Sequence, residues 1–167
     1  DSSASGSTVD VSSTGGSTAF STANATSSIT VTDANNQPVL DTTTSPIAMT
    51  AFNEGDASST TTSASLLISA GIGSTISDVD TGASSGIAIT SASTSNGYWE
   101  YSADNTNWTA VPTVSTTSAM VLDASYYLRF VSTGPDGVTA TLDFVAWDQT
   151  DGNTSETTGV DTTATFS

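Results

Sequence analysis

The sequence predicts an all-β fold, an antiparallel β-sandwich of Greek-key type, and three observations carry that prediction. No window shows a helical period, whereas Thr, Val, Ile, Tyr, Phe and Trp recur in short runs that alternate polar with apolar. Clusters of Gly, Asp, Asn and Ser separate those runs at the spacing of a sandwich. The length, 167 residues, holds one large sandwich or one domain plus part of a neighbour.

The strands are taken in order. Thr18–Thr32 reads as a strand that directs Phe20, Ile29 and Val31 to a buried face. Ile47–Phe52, Ala64–Ser69, Gly86–Ser91, Tyr98–Ser102 and Met120–Leu122 follow. The two strongest are Tyr126–Val131 and Val138–Trp147. In the first, Tyr126, Leu128 and Phe130 share a face, so Arg129 points the other way and reads as a solvated side chain. In the second, Ala140, Leu142, Phe144 and Ala146 share one face, and Thr139, Thr141, Asp143, Val145 and Trp147 the other. A last strand is expected near Val160–Phe166.

One internal boundary stands out. Asp33-Ala34-Asn35-Asn36-Gln37-Pro38-Val39-Leu40 follows a strand, and Pro38 can neither donate to a ladder nor leave Gln37 helical. The expected organisation is a closing segment over 1–32, a linker over 33–38 and a sandwich over 38–167. Residues 1–32 are too few for a sandwich of their own, so they are expected to complete a sheet in a preceding repeat or a neighbouring subunit.

Charge narrows the partners. The chain carries 17 Asp plus Glu, one cation (Arg129) and no His, for a net charge of -16. Ser and Thr make up roughly 38% of it, a hydroxyl surface in place of the usual mixed charges. Nucleic acid and anionic membranes need Lys and Arg, so neither is an expected partner. Two carboxylates about 5 Å apart repel by roughly 0.8 kcal/mol in water and about 3 kcal/mol at an effective dielectric of 20. A fold that gathers several of them favours a bound cation. Cysteine is absent, so neither a disulfide nor a redox compartment is inferred. The sequence shows no signal peptide and no apolar stretch of membrane length, and reads as a mature product or a segment of something longer.

Catalysis is not expected. Without His or Cys, and with Arg129 as the one cation, Ser-His-Asp, Cys-His, zinc-histidine and Lys-nucleophile chemistry all lack their residues. Gly71-Ile72-Gly73 has neither a following helix nor a Lys, so it is no phosphate cradle. Carboxylate pairs are too frequent here to single out a glycosidase. Trp99, Trp108 and Trp147 allow a sugar-stacking platform, but Trp99 and Trp147 read as core and Trp108, after a turn, as the exposed one. Asn24-Ala25-Thr26, Asn107-Trp108-Thr109 and Asn153-Thr154-Ser155 match the glycosylation sequon, which a composition this rich in Ser, Thr and Asn also produces by chance.

The motifs together resemble a known family. The linker Asp33–Leu40 resembles the opening of the cadherin-like repeats of giant bacterial surface adhesins, of the RTX and VCBS kind. Ile76-Ser77-Asp78-Val79-Asp80-Thr81-Gly82 with Ser85-Gly86-Ile87-Ala88-Ile89, Asn96-Gly97-Tyr98-Trp99-Glu100-Tyr101-Ser102 with Asn107-Trp108, Tyr127-Leu128-Arg129-Phe130-Val131, and Leu142-Asp143-Phe144-Val145-Ala146-Trp147-Asp148-Gln149-Thr150 are similar to its successive signatures. Gly15-Gly16-Ser17-Thr18-Ala19-Phe20-Ser21-Thr22 resembles the stretch that ends such a repeat, so the order is permuted. Two departures are Asn35-Asn36, where the family has an Asp, and Ser132-Thr133-Gly134 ahead of Pro135.

The resemblance implies a cadherin-like or Ig-like module, extracellular or at the cell surface, structural or adhesive, with Ca²⁺ at its junctions. It implies ligands at Asp78 and Asp80, at Glu54 as the early glutamate, at Asp33 and Asn35 in the linker, and at Asp148 late in the domain. Independently, Asp78 and Asp80 are two residues apart and can grip one ion from a loop, or simply form a turn beside Gly82. Asp123, Asp136 and Asp151 read as turn residues. The expected partners are calcium and further copies of the module, joined covalently in tandem or by strand donation in a filament. Glycans and a carbohydrate-binding role remain weaker alternatives.

Overall fold

The structure, a computed structural model, describes residues 4–43, 47–53, 66–133 and 136–164. The chain divides into two units, Asp1–Ala34 and Asn35–Ser167. The described part of the first unit contains no strand and no helix, so the strand expected over Thr18–Thr32 does not form. Its closed features are turns: Ser7 N–H donates to the Ala4 carbonyl at 3.1 Å, and further on Gly15 N–H donates to the Phe20 carbonyl at 2.8 Å and Thr18 N–H to the Gly15 carbonyl at 3.1 Å. Ile29 and Val31 are not on a buried face; they are 89% and 85% exposed. The alternation of that segment is real, but a strand also needs a ladder partner.

The second unit is all-β and antiparallel, the fold class the sequence predicts. Its strands are β1 (Val39–Leu40), β2 (Leu66–Leu67), β3 (Ile76–Ser77), β4 (Gly86–Ala92), β5 (Gly97–Ser102), β6 (Thr109–Ala110), β7 (Ala119–Asp123), β8 (Tyr127–Ser132), β9 (Leu142–Trp147) and β10 (Thr158–Val160). Two four-stranded sheets run in the orders β10-β7-β4-β9 and β2-β8-β5-β6, and β1 pairs with β3 apart from them. From β4 on, the chain changes sheet between β4 and β5, between β6 and β7, between β7 and β8, and again between β8 and β9.

The period of two explains the core. Ile87 and Ile89 on β4, and Met120 and Leu122 on β7, are fully buried and meet Tyr101 on β5 and Leu128 on β8. One hydrophobic cluster thus joins both sheets, as in a β-sandwich. Trp99 and Phe130, cross-strand partners, pack edge to face at 5.5 Å on the second sheet. On the opposite face of the first sheet Ala88, Ala119, Val121 and Trp147 form a smaller cluster with Val160 against it. Trp99 and Trp147 are each 7% exposed, which places both in packed interiors. Gly86 lies between Asp123 and Trp147, where a Cβ would stand 2.6 Å from the Leu122 carbonyl oxygen and 2.8 Å from the Trp147 ring. That position therefore admits only glycine without a shift.

Four further expectations need correcting. The last strand, expected near Val160–Phe166, is Thr158–Val160, and residues 161–164 are not strand. Ile47–Phe52 is not a strand. Within Ala64–Ser69 only Leu66–Leu67 is described as strand, and a four-residue helix, α1 (Ile68–Gly71), follows it. Its opening amides are satisfied by the Tyr126 and Ala124 carbonyls at 2.9 and 2.8 Å, and Ile68 is plugged into the core. The strand expected over Val138–Trp147 begins only at Leu142, although its face assignment holds: Leu142 and Phe144 pack on the main core and Trp147 on the opposite cluster.

Candidate functional site

The site grows out of the small β1–β3 pairing. Leu40 lies opposite Ile76 and Val39 opposite Ser77. Continuing that register brings Asn36 opposite Asp80, and the two are bonded: the Asn36 backbone N–H donates to Asp80 Oδ2 at 2.7 Å and its side-chain Nδ2 to Oδ1 at 2.9 Å. Of the stretch expected to be a linker, the residues from Asn35 on belong to the second unit and run beside the Ile76–Asp80 segment.

Asp148 follows directly on β9, and Asn35 Nδ2 donates to its Oδ2 at 2.9 Å. Asp148 Oδ1 accepts from the Thr150 N–H at 3.0 Å and hydroxyl at 2.8 Å. Asp78 Oδ1 accepts the Asp80 N–H at 2.9 Å, a local turn continued by Ala83 N–H to the Asp80 carbonyl and by Gly82 at φ +80°. Asp78 Oδ2, however, is buried and has no hydrogen-bond partner.

The fold thus links Asn35 to Asp148, Asn36 to Asp80, and Asp80 to Asp78, and it places Asp148 close enough to Asp80 for their charges to interact. Asp33 falls in the first unit, exposed, and Glu54 lies outside the described residues. Asn36 and Thr150 are the members that motif reading did not select. The register opposite Asp80 is what exposes Asn36, and no local pattern carries it.

The electrostatics are of hydrogen bonding rather than of ion pairing. The backbone amide and then the side chain of Asn36 hold the Asp80 carboxyl below its ordinary range, against partial burial and the charge of Asp148. Burial works to raise Asp148, but the bonds from Asn35 and Thr150 together bring it below its ordinary value. Both carboxylates are held ionised without a cationic side chain.

The donor set is one of hard oxygens, the kind that suits Ca²⁺ or Mg²⁺ rather than zinc. Among the described residues no three carboxylates converge as they stand on one metal position. The Asn35 amide occupies a lone pair of Asp148, and the Asn36 amide one of Asp80. A half-turn of each amide replaces its NH₂ by a carbonyl oxygen and turns two donors into two ligands. The orphan Asp78 oxygen is the observation that fits a cation directly. A turn accounts for Oδ1 but leaves Oδ2 desolvated, at a cost of roughly 1–3 kcal/mol or more for a charged group.

A second polar cluster corrects two more expectations. Arg129 is not solvated; it is 7% exposed. Glu100, its cross-strand partner, takes its Nη2 at 2.5 Å and its Nε at 2.7 Å on one oxygen, Oε2. The guanidinium lies 4.0 Å from the centre of the Trp108 ring, so Trp108 is half-buried rather than exposed. The parity reading of Arg129 was right, but its face is covered by a side chain from beside β6.

No protein-family model matches the chain, and neither a curated protein nor a solved structure matches it.

Proposed function

We propose that this chain is a calcium-binding structural module of the cadherin-like repeat kind, extracellular, non-enzymatic, and used in an adhesive array or a fibre. The observation that carries the reading is the buried, unpartnered Asp78 Oδ2, one hydrogen-bonded step from Asp80 and beside the Asn36–Asp80 and Asn35–Asp148 pairs. A Ca²⁺ ion there would take Asp78, Asp80, Asp148 and the two asparagine carbonyls as ligands and relieve the repulsion between the carboxylates. It would fasten Asn35 and Asn36, the point where the second unit begins, and so stiffen the junction with whatever precedes it.

The test is calorimetric. Extracellular calcium modules bind with Kd of about 10⁻⁴–10⁻³ M. Calcium at about 10 mM then adds roughly 1.4–2.7 kcal/mol of stability. For a chain of this size that raises Tm by about 3–10 °C over the value in chelator. Asp78→Asn should remove the shift while leaving the calcium-free protein as stable or more so, because it removes a buried charge. Identical melting in calcium and in chelator sinks the reading.

A further inference from the structure

We infer that the open edge of β9 is a docking site for residues 28–32 of a second copy of this chain, added as an antiparallel strand. β9 is the last strand of its sheet; β1 comes near it, but among the described residues no strand is hydrogen-bonded along its other side. Six residues is long for a bare edge, and no proline blunts it. The core beneath it is also incomplete at that side: Leu142 and Phe144 pack on the main cluster yet remain half-buried.

The chain carries a segment with the complementary defect. Ile29 and Val31 share strand parity, stand 89% and 85% exposed, and have no ladder. Laid beside β9, they extend the row of Leu142 and Phe144, while Thr30 falls on the outer face with Val145, itself 42% exposed. Charge agrees with this. Residues 11–32 hold no charged side chain, so the segment approaches a chain of net charge -16 without adding repulsion.

Chain direction selects a second copy over the same one. Every ladder here is antiparallel, so the added strand must run from the Trp147 end of β9 to the Leu142 end. Asn35 is bonded to Asp148 at the Trp147 end. Thr32 of the same chain lies within about 11 Å of Asn35 along the backbone. The far end of β9 is roughly 17 Å away. Residues 28–32 of the same molecule therefore cannot lie antiparallel along the whole of β9. Donation between copies uses different surfaces on giver and receiver, which generates an open, head-to-tail filament.

The inference needs the module but not the ion, and its test keeps them apart. The full-length protein is followed by sedimentation and electron microscopy over a wide concentration range, with calcium and with chelator. Ile29→Asp with Val31→Asp should raise the concentration needed for assembly by about 100-fold or more. The near-ultraviolet signal of Trp99 and Trp147 should stay unchanged. Because the chain has no cysteine, Thr30→Cys in one population and Val145→Cys in another give a clean cross-link, expected to form mixed dimers in excess of like pairs. A parent protein that stays monomeric, a double variant that assembles as the parent does, or a Thr30→Cys, Val145→Cys chain that cross-links only within itself overturns the proposal. Loss of the calcium effect on melting with the cross-link intact overturns only the metal reading.

Discussion

Breaking the Arg129–Glu100 pair from one side should cost far more than removing it whole. Arg129 is the chain's one cation, so no other carboxylate's partner is displaced and no other cation can replace it. The two side chains are 9% and 12% exposed, and both guanidinium bonds fall on Glu100 Oε2. Removing one member of a fully buried pair costs about 3–5 kcal/mol. Here Trp108 at 4.0 Å retains about 0.5–2 kcal/mol of attraction for the guanidinium, and the long Arg stem can lift its head toward water. Glu100→Leu should therefore destabilise by about 2–3 kcal/mol, a fall in Tm of roughly 4–12 °C. Arg129→Leu should cost about 3–4 kcal/mol, because the abandoned carboxylate sits in a strongly anionic chain. The double variant should lie within about 1 kcal/mol of the parent, or above it. Urea unfolding followed by tryptophan fluorescence gives all three values, and their non-additivity is the coupling. Single variants each within about 0.5 kcal/mol of the parent would refute the reasoning, since the pair would then be solvated.

Other outcomes follow from the same geometry. Gly86→Ala should destabilise by about 1–3 kcal/mol, read as a fall in the urea midpoint, because its Cβ meets the Leu122 carbonyl and the Trp147 ring. A midpoint unchanged within error would mean that β4 slides freely against β7 and β9. Acid should weaken the fold. Burial, opposed by bonds from Ser125 and Ser155, leaves Asp123 below its ordinary range, and Asp148 is lowered in the same manner. Bonds from Asn107 and Thr106 lower Asp104 strongly. A lowered carboxyl stabilises above its unfolded pKa, about 3.9, and loses that contribution as pH falls through the folded value. The urea midpoint should be level from neutral pH to about pH 5 and drop below about pH 4. A midpoint that holds or rises into strong acid would show that relief of net charge outweighs these bonds.

What the sequence made legible was local pattern, and what it hid was pairing. β4, β5, β7 and β8 were readable as short runs of apolar, β-branched and aromatic residues bounded by turn residues, although β4 and β7 are each buried along four successive residues, on both faces, rather than on alternate ones. α1 was not, because four residues carry no period; it exists through the Tyr126 and Ala124 carbonyls that receive its amides. Thr18–Thr32 had the alternation of a strand without the neighbour that makes one. The Asp78-Val79-Asp80 spacing drew attention to this loop, yet it could not show that Asn36 lies opposite Asp80 or that one Asp78 oxygen is orphaned. Both depend on the register of β1 with β3. The Arg129 face was read correctly from parity, but its burial depends on Trp108, 21 positions away in sequence and outside any local window.

The hydroxyl-rich surface and the missing cations are one feature. In a chain of mixed charges, carboxylates are answered by Lys and Arg. Here they are answered by neighbouring hydroxyls and amides: Thr150 and Asn35 on Asp148, Ser125 and Ser155 on Asp123, Thr163 on Asp161, Asn107 on Asp104. Such bonds keep each group ionised but neutralise nothing, so the field of the acidic side chains stays intact and, beyond about 8 Å at physiological salt, is left to ions to screen. With Arg129 tied to Glu100, the chain has no free cationic side chain to offer a second copy. On the two proposals, copies would meet along residues 11–32, where charge is lacking, and a cation would gather the carboxylates of Asp78, Asp80 and Asp148 within one chain. A divalent ion should accordingly favour association beyond what the same ionic strength of a monovalent salt achieves, by screening the field of the acidic side chains, while strand donation itself should persist in chelator; sedimentation in the two salts and in chelator reads both.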